Sequence, residues 1–138
     1  MKVLLLSCKH FNTKIKKLAT RPESIKPEPI NKKEYYTDKS IVVLITVERE
    51  DNIKDISNKL LEDIKTFSKD TGIKTIVLFP FGHLSNNLAS SEETIGFLDL
   101  LENKLTDGFE IVRIHFGSHK SLFLDVFGHQ GNVRFREF

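Results

Sequence analysis

The chain has 138 residues, 39% of them hydrophobic and 29% charged, with a formal net charge of +2. These values fit one globular domain that can bury its own core, and they exclude a disordered or strongly polyionic chain. A single cysteine, Cys8, excludes a disulfide framework and points to a reducing compartment.

Residues 2–7 are almost wholly apolar and predict a strand buried on both faces. This stretch is too short for a membrane span, and Lys9 and His10 follow it where a signal peptide would carry small residues. A cytoplasmic protein with no membrane contact is expected. Residues 10–17 predict a second, more polar strand. Residues 19–39 hold three of the four prolines, Pro22, Pro27 and Pro29, and predict a long surface loop. Residues 40–48 are β-branched and nearly all apolar, the pattern of a central strand. Ile53, Ile56, Leu60, Leu61, Ile64 and Phe67 then recur at helical spacing, which predicts a helix over 53–70 stopped by Gly72. A buried strand over 73–79 runs into Pro80. Ser90 and Glu93 have capping-box spacing and open a second helix, 91–106, with Gly108 beyond its end. A strand over 109–116 breaks at Gly117. Residues 121–127 and 132–138 predict a closing hairpin around Gly128-His129-Gln130-Gly131.

Two strand–helix–strand units require parallel pairing, and a terminal hairpin requires antiparallel pairing. The expected fold is therefore a single α/β domain over 1–138, with a mixed, curved or partly closed sheet carrying two helices. Charge is unevenly spread along it. Residues 1–40 hold ten Lys/Arg and four Asp/Glu, residues 41–112 seven and thirteen, and residues 113–138 four and two. Basic ends around an acidic middle would form a phosphate-facing surface if the ends meet in space.

No phosphate-binding glycine loop, nucleophile elbow, CxxC or HExxH is present. The five histidines, at 10, 83, 115, 119 and 129, do not fall at metal-ligand spacing on a helix, so no metal and no cofactor are expected. Two segments carry candidate chemistry. Phe79-Pro80-Phe81-Gly82-His83-Leu84-Ser85 follows the carboxyl end of a buried strand, where ligands bind in open α/β sheets. Within it His83 is either a core histidine satisfied by backbone or a site residue. His115-Phe116-Gly117-Ser118-His119-Lys120 also follows a strand and reads either as a plain turn or as a ligand-facing one. Glu48, at the end of the central strand, could face the same side. Cys8 reads as a small buried hydrophobe rather than a nucleophile.

The run Val77-Leu78-Phe79-Pro80-Phe81-Gly82-His83-Leu84-Ser85, together with Met1–Ser7 and Ile45-Thr46-Val47-Glu48-Arg49-Glu50-Asp51, resembles the archaeal editing domain of threonyl-tRNA synthetase. The resemblance implies a D-aminoacyl-tRNA deacylase-like fold and a homodimer. It also implies hydrolysis of L-serine mischarged on threonine tRNA, assisted by the 2′-hydroxyl of the terminal adenosine. The partners would be the aminoacylated 3′ end of the tRNA and the rest of a synthetase, in cis or in trans. By the same resemblance Lys120 and His83 would be the catalytic side chains. Val47, Phe79, Pro80, Phe81, Gly82, Phe116, Gly117 and His119 would shape the substrate pocket.

The second loop departs from the family pattern. The family has proline, phenylalanine, glycine, tyrosine or tryptophan, tyrosine and lysine, against His115-Phe116-Gly117-Ser118-His119-Lys120 here. A family glutamate that follows glycine-histidine-proline has no match after Gly128-His129. Two alternatives therefore stand beside proofreading: a domain that binds tRNA or a synthetase without hydrolysis, and a D-aminoacyl-tRNA deacylase.

Overall fold

The computed structural model describes all 138 residues. Its organising element is one 17-residue strand, β1 (Lys2–Leu18). Strands β2 (Glu34–Thr37) and β3 (Ser40–Thr46) run antiparallel to β1 along one edge. Helix α1 (Ile53–Thr71) leads to β4 (Thr75–Pro80), and helix α2 (Ser91–Leu105) leads to β5 (Glu110–Arg113). Strands β3, β4 and β5 are parallel neighbours. Strands β6 (Ser118–Lys120), β7 (Phe123–Val126) and β8 (Val133–Glu137) run antiparallel along the other edge of β1. The result is a mixed sheet curled into a half-barrel, with both helices packed on one face.

Several elements differ from the sequence expectation, each for a visible reason. Residues 2–7 and 10–17 are one strand, not two. Between Cys8 and His10 the pairing with β7 slips by one residue. This β-bulge inserts an extra residue and leaves Lys9 and His10 both exposed. Cys8 and Phe11, three residues apart, then face the same side. The bulge thus breaks the period of two by which a strand is recognised.

The closing hairpin is not formed, because β7 and β8 each pair with β1 and not with each other. Between them the chain leaves the edge and returns at Ser7, whose N–H donates to Asn132 O (3.0 Å) and whose O accepts from Phe127 N–H (3.0 Å). The expected 109–116 strand is confined to β5, since His115 and Phe116 bond instead to residue 28. The expected turn at 118–120 is strand β6. The proline-rich stretch contains β2, and its remainder is docked through backbone bonds. Ala19 N–H donates to Gly117 O (2.8 Å), Glu28 N–H to Phe116 O (3.2 Å) and Ile15 N–H to Lys33 O (2.8 Å).

The continuous apolar run of β3 is explained by burial on both faces. Val3, Leu5, Ile41, Val43, Ile45, Ile76 and Leu78 pack against Leu60, Ile64 and Phe67 of α1 and Phe97, Leu98, Leu101 and Leu105 of α2. The alternate residues Leu6, Cys8, Phe11, Val42, Leu44, Val77 and Phe79 line the concave face with Ile114. Cys8 is fully buried there. Burial pushes its thiol up to about 11, with the Asp125 carboxylate adding to the shift, so it packs and does not react.

Gly72, at φ 74°, caps α1 in the left-handed conformation, and Ser90 caps α2 with a full capping box to Glu93. Replacing Ser90 with Ala should lower stability by about 1 kcal/mol. Urea unfolding would read this as a lower midpoint at unchanged slope, with Ser90→Thr, which keeps the capping hydroxyl, avoiding most of the loss.

Candidate functional site

Parallel strands β3 and β4 end side by side, and the chain leaving each is held to the other by backbone bonds. Phe81 N–H donates to Ile45 O (2.8 Å), Ala89 N–H to Val47 O (3.0 Å) and Arg49 N–H to Asn87 O (3.1 Å). The Thr46 hydroxyl donates to Phe81 O. Facing this rim, the curl of the sheet brings in residues 116–122, and the docked residues 19–25 close the third side. A cleft of about 470 Å³ lies between them. All ten residues named from the resemblance line it: Val47, Phe79, Pro80, Phe81, Gly82, His83, Phe116, Gly117, His119 and Lys120.

The sequence reading missed the wall made by Ala19, Arg21, Pro22, Ser24 and Ile25, and the α2 amino end at Ser90, Ser91 and Thr94. The length of the proline-rich stretch was the available signal, because long loops in compact domains are disproportionately functional. A larger, more open groove of about 850 Å³ lies between residues 26–31 and α2. Its Arg113 is already paired with Glu28 (2.6 Å), Asp99 (2.6 Å) and Glu102 (3.1 Å). The guanidinium at its centre is thus committed to protein carboxylates, whereas the residues named from the resemblance all lie on the smaller cleft.

Pairing of Lys120 with Ile15 sets its side chain inside the curl. Its Nζ donates to Ser118 O (3.0 Å) and Ser118 Oγ (3.1 Å) and lies 5.5 Å from the centroid of the Phe79 ring. Burial pulls the ammonium down to about 8, opposed by the Glu28 carboxylate. His83 is exposed, with its ring 4.9 Å from that of Phe81 in an edge-on arrangement. It is not a core histidine satisfied by backbone, and its ring nitrogens are free to meet a ligand. His119 is likewise exposed at the mouth.

The Lys120 loop is fixed from behind by Glu28. Its Oε2 accepts from Phe116 N–H (2.8 Å), its Oε1 pairs with Arg113, and its main-chain O accepts from His115 Nε2 (2.7 Å). Gly117 sits at φ 88°, and a Cβ there would lie 2.6 Å from Pro27 Cα.

Glu48 does not face the cleft, which corrects the expectation. It accepts from the Met1 ammonium (2.8 Å) and from the Ser85 hydroxyl. Those hydrogen bonds, the ammonium's first, hold its carboxyl below the usual range. It anchors the Phe81–Ser90 crossing and does not meet a substrate.

Two outcomes follow from this geometry. Gly117→Ala combines backbone strain with a clash against Pro27 and should destabilise by about 2–4 kcal/mol, with faster proteolysis within residues 19–33. Lys120→Met should instead stabilise. Between about 8 and the ordinary 10.5, the unfolded chain holds a proton on Lys120 that the folded chain has released, so stability from this group rises with pH there. Below that window the buried ammonium is a penalty. After discounting for its partial exposure, Lys120→Met should add about 1 kcal/mol near neutral pH. The gain should shrink as pH rises through the window, read as the difference between paired denaturation curves.

A family model described as the Archaea-specific editing domain of threonyl-tRNA synthetase matches residues 1–137. A threonine–tRNA ligase of Staphylothermus marinus is 34% identical over 133 residues, covering 94% of this chain and 21% of the relative. A threonine–tRNA ligase editing subunit of Saccharolobus solfataricus is 30% identical over 129 residues, covering 94% of this chain and 32% of the relative. The chain thus spans about a fifth to a third of the length of these relatives. Among solved structures, a c-Myc DNA unwinding element binding protein superposes with a TM-score of 0.66 at 13% identity, over 100% of this chain and 99% of the other. That likeness concerns the fold alone, which is D-aminoacyl-tRNA deacylase-like. On the match across nearly its whole length, the chain belongs to the archaeal threonyl-tRNA synthetase editing-domain family.

Proposed function

We propose that the cleft hydrolyses the ester of L-serine mischarged on threonine tRNA. The observation that carries this reading is convergence. Residues from four separated segments meet around one half-buried ammonium, that of Lys120, in a cleft sized for a small amino acid and the end of an RNA strand. Serine lacks only the methyl of threonine, and one methyl gives a synthetic site only about 1–3 kcal/mol of discrimination. A separate hydrolytic site remedies this.

In this reading Lys120 donates to the serine hydroxyl, and the Phe79 and Phe116 rings wall the pocket. The exposed backbone at Gly82, whose Cβ position lies 3.7 Å from Leu88 Cδ1, lets the substrate approach closely. His83 at the rim meets the terminal adenosine. The 2′-hydroxyl of that adenosine positions a water, which attacks the ester carbonyl. The tetrahedral intermediate then expels the ribose 3′-oxygen, which takes up a proton, releasing serine and tRNA.

Charge supports an RNA substrate. The two basic ends of the chain do lie side by side, because β1 pairs with β6, β7 and β8. Arg21 lines the cleft and Lys17 pairs in register with His119 of its wall; both are exposed and make no ion pair, leaving them for phosphates. The relatives include both a whole ligase and a separate editing subunit, so the domain would act in cis or in trans with a synthetase.

A second reading, binding without hydrolysis, is favoured by the residues at which this loop departs from its family, Ser118 and His119, and by the missing glutamate. Incubation with Ser-tRNA, Thr-tRNA and a D-aminoacyl-tRNA separates them. Hydrolysis of the serine ester alone is expected. Lys120→Met should lower kcat/KM by about 10–100-fold and His83→Ala by less. Retained tRNA binding without any hydrolysis would leave only the second reading, and cleavage of D-aminoacyl-tRNA would redirect the specificity. Binding should weaken steeply with salt.

A further inference from the structure

Lys120 is held by more than its own strand. His115 is buried at the end of β5, with Nδ1 2.8 Å from Ser118 Oγ and Nε2 2.7 Å from Glu28 O. A main-chain carbonyl can only accept, so Nε2 must carry a proton. In the neutral imidazole Nδ1 is then an acceptor, and the Ser118 hydroxyl donates to it. With its proton so directed, Ser118 Oγ turns its lone pairs toward Lys120 Nζ at 3.1 Å. The Ser118 carbonyl takes a second proton of Nζ at 3.0 Å. Two of the three ammonium donors are thereby committed, and one is left without a protein acceptor in the cleft.

We propose that His115 and Ser118 are positioning residues for Lys120. The Glu28 carbonyl sets the direction of a hydrogen-bond chain that fixes Nζ and leaves it a single donor for the substrate's hydroxyl. This deepens the proofreading reading and rests on it for the identity of that hydroxyl. The chain accounts for how a lysine with four rotatable bonds is held in one place with no aromatic neighbour at 118 or 119 to confine it. One free donor suits one small acceptor, a hydroxyl oxygen, and suits a carboxylate or phosphate poorly. The charged group acting on Nζ is Glu28 from the docked segment, and the titratable group nearest it is His115, just beyond β5, which reaches it through Ser118 Oγ. Strand β4 contributes the Phe79 ring.

Three measurements on the full chain test the proposal. A long-range proton–nitrogen correlation spectrum should find His115 as the Nε2–H tautomer; the Nδ1–H form would reverse the chain and overturn it. Titration of the Lys120 ε-methylene signals should show the midpoint falling by about one pH unit in Ser118→Ala, because the charged form loses an acceptor. Ser118→Thr keeps the hydroxyl and should restore the wild-type midpoint, which separates loss of the chain from general damage to the loop. On Ser-tRNA, Ser118→Ala should raise KM about tenfold with kcat little changed, again recovered by Ser118→Thr. An unchanged midpoint in Ser118→Ala would mean that β6 alone positions Nζ. The titration needs no substrate. A wild-type chain inert toward every aminoacyl-tRNA would therefore sink the proofreading reading, while the His115 tautomer and the Lys120 midpoint decide the hydrogen-bond chain.

Discussion

Backbone pairing along both edges of β1 is the constraint from which the rest follows. Residues 2–12 of one strand pair with residues 36–46 on one side and 123–137 on the other. Because the same strand serves both, the loop after β4 and the loop ending at Lys120 are carried by one curled sheet. They face each other at a fixed separation. The two helices cover one face of that sheet, and the opposite face, where Phe11 and Ile114 pack beneath Phe79, presents the Phe79 ring to the cleft.

Within that frame, Glu28 has a disproportionate role for a residue between two prolines. Its carboxylate satisfies a main-chain donor of the Lys120 loop and neutralises Arg113, and its carbonyl orients His115. Gly117 permits this docking, since any side chain there would meet Pro27. The third wall of the cleft and the geometry of Lys120 thus depend on one tripeptide, Pro27-Glu28-Pro29. The dry setting that this creates lowers the proton affinity of Lys120, so the group to which the proposed function assigns recognition is also one the fold would be more stable without.

What was legible in the sequence was whatever is encoded locally. The helical repeat from Ile53 to Phe67, the capping box at Ser90 and the unbroken apolar run of β3 each state their structure within one turn or one strand. What was not legible depended on partners far away in the chain. A bulge at Lys9 and His10 shifts the phase of β1, so a 17-residue strand reads as two. Strands β7 and β8 look like a hairpin because nothing local says that their partner is at the other end of the sequence. The proline-rich stretch looks like a linker because its anchor, Glu28, is an ordinary charged residue until Phe116 N–H and His115 are placed against it. The candidate site was legible through two loops and a resemblance. The chain from Glu28 through His115 to Ser118 was not, because it runs between segments that only the fold brings together.

The double pairing of β1 also has a consequence during synthesis. Within this domain the strand is made before its partners, and its outer edge has none until residues 118–137 have left the ribosome. For that interval a long strand with a nearly continuous apolar start presents unpaired N–H and C=O groups to any neighbouring chain. Contacts this distant in sequence also form slowly. The bulge at Lys9 and His10, and the lysines at 14, 16 and 17, then interrupt the flat, uncharged edge that strand-to-strand aggregation requires. The feature that hides β1 from sequence inspection is thus one that protects the half-made chain.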